Sequence, residues 1–112
     1  MAISKLDKPH WHDYFNHMSK ILIGKNVELE VEALEIGSQI ESDWVPLFGM
    51  VYDPNSDILA VMVEGLDHMI RHPQEVYVDM LGSELTSMEV LDSDQFRHII
   101  KLRDPLMLPP PQ

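Results

Sequence analysis

Along residues 9–22 the apolar side chains Trp11, Tyr14, Phe15, Met18, Ile21 and Leu22 recur at intervals of three and four, which lines one face of a helix. Asp7 stands where an N-cap belongs, Pro9 falls in the first turn where its missing N–H costs nothing, and Gly24 suits a left-handed stop. The period then changes to two: Val27, Leu29, Val31 and Ala33 alternate with Glu28, Glu30 and Glu32, as in a half-buried antiparallel strand. Gly37-Ser38 reads as a turn, and residues 39–44 as a short strand ending before Pro46. Residues 47–52 and 58–64 are apolar, strand-like runs joined by Asp53-Pro54-Asn55-Ser56-Asp57, all turn formers, so they predict a hairpin. Residues 66–72 lie between Gly65 and Pro73, room for about two helical turns at most, and read as a short helix or irregular loop. Three further strands are predicted at 75–80, 87–91 and 96–102.

One leading amphipathic helix followed by about six short strands predicts an α+β fold, with the N-terminal helix packed on a strongly bent, half-barrel-like antiparallel meander sheet. No later helix is long enough for a parallel crossover. Residues 1–104 are expected to form one domain. Residues 105–112, with Pro105, Pro109, Pro110 and Pro111, are expected to form an extended tail carrying Leu106 and Leu108 as docking side chains.

Composition narrows the chemistry. The 112 residues include no cysteine, which removes disulfides, thiolate metal sites and cysteine nucleophiles. The net charge of −11 is unevenly spread: +2 over residues 1–25, −15 over 26–94, where Arg71 is the sole Lys or Arg, and +2 over 95–112. Nucleic acid and anionic membranes are bound through clustered Lys and Arg, so neither is an expected partner. The start of the chain has no apolar targeting core, and no apolar run approaches membrane-spanning length, which places the protein in the cytoplasm.

Each candidate site has a plainer structural alternative. Asp53, Asn55, Asp57 and Glu64 occupy EF-hand ligand positions 1, 3, 5 and 12, but Ile58 replaces the required glycine, so an Asx-capped turn is the better reading. His68 and His72 are four apart, the spacing of zinc-binding helices, with Asp67 adjacent. Their possible third ligands, His10, His12, His17 and His98, are remote in sequence, and no metal or other cofactor is expected. Serine-nucleophile elbows and glycine-rich phosphate loops are absent. The eight methionines fill a core or form an adaptable contact surface.

Four blocks also form a set: residues 11–22, the run Pro46-Leu47-Phe48-Gly49-Met50-Val51-Tyr52-Asp53-Pro54, the run Asp67-His68-Met69-Ile70-Arg71-His72-Pro73, and Leu102-Arg103-Asp104-Pro105-Leu106-Met107-Leu108-Pro109. In order and spacing this set resembles a family of small bacterial proteins of unknown function. The resemblance implies a bacterial source and one compact domain, and it transfers no catalytic residue.

The leading expectation is therefore a non-enzymatic binding or assembly module, self-associating through an exposed strand edge or a Met-rich patch. The alternative is a small-molecule-binding protein or enzyme with a pocket between helix and sheet, its mouth lined by Tyr52, Asp67, His68, Arg71 and His72. A metal-binding protein is the third.

Overall fold

The computed structural model describes residues 2–34 and 37–104. Strand β1 (Ala2–Leu6) leads through a 3-10 turn (Lys8–His10) into helix α1 (Trp11–Leu22), and seven strands follow. These are β2 (Asn26–Ala33), β3 (Gly37–Asp53), β4 (Ile58–Val63), β5 (Leu66–Arg71), β6 (Pro73–Leu81), β7 (Glu84–Asp92) and β8 (Arg97–Arg103). All eight strands join one antiparallel sheet in the order β1-β6-β7-β8-β2-β3-β4-β5.

The α+β class and the helix face follow the sequence pattern. Trp11, Phe15, Met18 and Leu22 are the buried positions of α1, and Gly24 is left-handed (φ +88°) beyond its end. In β2, Val27, Leu29 and Val31 point into the core while Glu28 faces Lys101 of the neighbouring β8. Asp7 precedes the 3-10 turn without a side-chain capping bond; its backbone carbonyl accepts from His10 N at 2.9 Å instead.

Several expectations are corrected. Among the described residues the strands number eight, and α1 is preceded by β1, whose five residues pair with β6. Residues 66–72 are not helical: residues 66–71 form β5, because Glu64-Gly65 is a two-residue hairpin turn that brings Leu66 opposite Val63. The segments 39–44 and 47–52 belong to a single strand, β3. Pro46 is tolerated there because it sits where β3 leaves β2 and begins to pair with β4, so its missing N–H falls at a break in the ladders. The meander is also interrupted: β2 pairs with β8, and β5 and β6 are not neighbours.

That interruption shows how the sheet bends. β5 is the eighth strand in order and β6 the second, yet only His72 separates Arg71 from Pro73. In a flat sheet six strand spacings span about 29 Å, whereas the two Cα–Cα steps from Arg71 to Pro73 bridge at most about 7 Å, so the sheet has to fold over on itself. The enclosed space is filled by one apolar cluster, including Trp11, Phe15, Leu47, Met50, Leu59 and Ile100. The tail expected over residues 105–112 lies outside the described residues.

Candidate functional site

The corner where β5 turns into β6 is built from polar groups. Both Asp57 (φ +54°) and His72 (φ +52°) adopt the left-handed conformation, and His72 N donates to the Asp57 carbonyl at 2.8 Å. The Asp57 carboxylate gathers three side chains: the Tyr52 hydroxyl donates at 2.6 Å, while Lys8 Nζ and His72 Nδ1 each lie at 3.3 Å. Tyr52 is 4% exposed, and its ring meets Trp11 edge-on at 5.2 Å. Burial, followed by the bond to Asp57, pushes the Tyr52 phenol up to about 12, while that same bond is foremost in holding the Asp57 carboxyl below the usual range. Ser93 N donates to the His72 carbonyl at 3.1 Å, tying the corner to the end of β7.

Next to that tie begins a second, deeper chain. Asp92 Oδ1 accepts from Asp94 N at 2.9 Å and Phe96 N at 3.0 Å, while its Oδ2 lies 2.8 Å from His98 Nε2. His98 Nδ1 lies 2.9 Å from His68 Nε2, joining β8 to β5 across the interior. The Asp92 and His98 side chains are 9% and 7% exposed. An ionised carboxylate only accepts, so His98 Nε2 carries a proton. The His68–His98 bond then holds one proton between its two nitrogens: either His68 donates to a neutral His98, or a charged His98 donates to a neutral His68. Burial, and after it the charge on His98, brings His68 down to about 4.

This geometry predicts a pH dependence of stability. The folded value for His68 lies below its ordinary 6.5, so as pH falls the unfolded chain takes up protons first. The contribution is complete above pH 6.5 and is lost between there and about 4, a loss on the order of 2 kcal/mol after allowance for the partial exposure of His68. Urea unfolding at pH 7.5 and pH 4.5 should show that loss in the wild type. His68→Gln, which keeps a donor toward His98 and does not titrate, should lack that share of it. An equal acid loss in both proteins would refute the assignment.

The sequence-predicted residues are thus divided. Tyr52 and His72 converge on Asp57, His68 turns inward to His98, and Asp67 and Arg71 lie exposed on β5. The helical spacing of His68 and His72 has no meaning on a strand. Asp53 caps its turn, accepting from Asn55 N and Ser56 Oγ, both at 2.9 Å, as the Asx reading requires. Among the described residues no group of three or more His, Asp or Glu is arranged to hold a metal ion.

Sequence reasoning missed Asp92, named Asp57 only as a turn former and a rejected calcium ligand, and named His98 only as a remote third metal ligand beside His68. A signal existed: His68 shares the inward phase of Leu66 and Ile70, and His98 that of Ile100 and Leu102, so both imidazoles occupy core positions that demand a partner. An open groove of about 850 Å³ lies between the end of β2 and the turn before β8, lined by Leu34, Leu91, Phe96 and Arg97 among others. It is remote from the helix–sheet interface where a pocket was expected, and there Trp11, Phe15, Leu47 and Met50 are fully packed.

Comparison with known proteins places these features in a wider group. Residues 2–111 match a family described as "Family of unknown function (DUF5335)". An uncharacterized protein of Aquifex aeolicus (strain VF5) is 38% identical over 110 residues, covering 97% of this chain and 99% of the relative. No solved structure matches the chain.

Proposed function

We propose that this chain, which belongs to the DUF5335 family of unknown function, is a non-enzymatic binding or assembly module that works as a homo-oligomer in the cytoplasm. One observation carries the reading: among the described residues the sheet ends in a strand paired on one side only, β5, beside an exposed apolar stripe. Val51, Ala60 and Met69 stand side by side in register across β3, β4 and β5, with Val51 48% and Met69 50% exposed. An edge strand presents unpaired backbone N–H and C=O groups, and a flanking apolar stripe adds a surface whose burial is favourable. The strongly acidic middle of the chain disfavours nucleic acid or an anionic membrane as partner. Among the described residues no helix is long and apolar enough to cross a membrane.

Sedimentation velocity over a range of concentrations tests the proposal directly. The expected result is a reversible shift from 12.9 kDa toward a multiple of that mass. A single 12.9 kDa species from micromolar to millimolar concentration would overturn it.

A further inference from the structure

The charges along β5 suggest how two copies meet. Among the described residues β5 pairs with β4 alone, so one of its sides is open along the whole of Leu66–Arg71. Its outward-facing residues are Asp67, Met69 and Arg71, all exposed, while Leu66, His68 and Ile70 face inward. An acidic and a basic side chain therefore stand at equal distances on either side of Met69. Arg71 is the one Lys or Arg between residues 26 and 94, a stretch holding sixteen Asp and Glu.

We propose that two copies of this chain pair antiparallel through their β5 edges, on a two-fold axis at Met69. In that register Met69 faces Met69 of the second copy, and Asp67 of each chain faces Arg71 of the other. A two-fold contact has to be complementary to itself, and this arrangement of charges meets that condition, since each carboxylate meets a guanidinium and no like charges are opposed. The same register sets the Val51, Ala60 and Met69 stripes end to end, giving one apolar band across the joined sheets. Parallel pairing in register would set Asp67 against Asp67 and Arg71 against Arg71, so the charges select the antiparallel arrangement.

The other edge of the sheet offers no such complementarity. The opposite edge, β1, carries Ile3 and Lys5, and Lys5 is already bonded to Glu75 at 3.1 Å. Among the described residues the groove between the end of β2 and the turn before β8 carries no pattern that selects an occupant.

The inference rests on the self-association proposed above, and charge reversal separates the two. Asp67→Arg alone opposes two arginines at each end of the contact and should weaken dimerisation about tenfold or more. Arg71→Asp alone should do the same with carboxylates. The double variant Asp67→Arg with Arg71→Asp restores both pairs with reversed polarity, and its dimerisation should return to within about threefold of wild type. Both substitutions lie on exposed side chains, and circular dichroism checks that each of the three variants folds. A wild type that dimerises, with single variants that dimerise equally well or a double variant that fails to recover, would overturn the β5 contact while leaving self-association intact. A wild type that stays monomeric would overturn both.

Discussion

Asp92→Ala should destabilise the fold by about 3–5 kcal/mol, out of a total that for a domain of this size is on the order of 5–15 kcal/mol. The carboxylate serves three donors at once, the amides of Asp94 and Phe96 and the His98 ring, all at 2.8 to 3.0 Å. Alanine would leave the buried His98 nitrogen and the part-buried Asp94 and Phe96 amides without this acceptor, and the desolvation cost falls chiefly on the buried imidazole. The paired His98 would also lose the acceptor that fixes which of its nitrogens is protonated. Asp92→Asn separates the two roles. Its amide oxygen can still accept from the turn, so the stability cost should fall to roughly 1–2 kcal/mol. Its NH₂ group would face His98 Nε2, forcing that nitrogen to accept and moving the ring proton to Nδ1, a change visible in the imidazole ¹⁵N shifts. Urea unfolding measures the first effect. A loss below about 1 kcal/mol for Asp92→Ala would mean that the interior polar chain is not a structural element.

Trp11→Ala should cost a similar 3–5 kcal/mol by a different route. The indole is 1% exposed, forms the first turn of α1, donates from Nε1 to the Leu6 carbonyl at 3.0 Å and packs edge-on against Tyr52. It thus fixes the end of β1, the start of the helix and the C-terminal end of β3 to one another. Trp11→Phe retains an aromatic ring but loses the indole N–H, leaving the part-buried Leu6 carbonyl without this donor, and should cost about half as much. Trp44, the other tryptophan, remains as the fluorescence reporter in both variants. Near-wild-type stability of Trp11→Ala would show that α1 is held mainly by its later turns, through Phe15 and Leu22.

What was legible in the sequence had a regular period. α1 followed from spacings of three and four, and β2, β4, β7 and β8 from alternation or from apolar runs between turn residues. β1 was not legible because five residues with one exposed Ile3 and a lysine carry too little pattern, and their partner β6 lies about seventy positions away. β5 was misread because Gly65 and Pro73 mark the limits of a helix as well as those of a strand. The site was legible in part. Tyr52 and His72 were singled out, but Asp57, the atom cluster that joins them, was hidden among turn formers. His68 was paired with His72 on the assumption of a helix, when the strand period turns it inward, where the fold brings it to His98, thirty positions later. Period and punctuation act locally, whereas the folding-over of the sheet brings together residues that no local rule relates.

The position of β2 in the sheet has a consequence for synthesis. Its first neighbour, β3, follows within a few residues, but its second, β8, pairs Arg103 with Asn26 and Arg97 with Glu32. At about 5–20 residues per second, β8 leaves the ribosome several seconds after β2. During that interval the strand carrying Val27, Leu29 and Val31 has one side open, a template onto which another nascent chain could add. Glu28, Glu30 and Glu32, which look like ordinary surface charges in the finished protein, would then act as gatekeepers, since a second copy aligned on that edge would stack carboxylate against carboxylate.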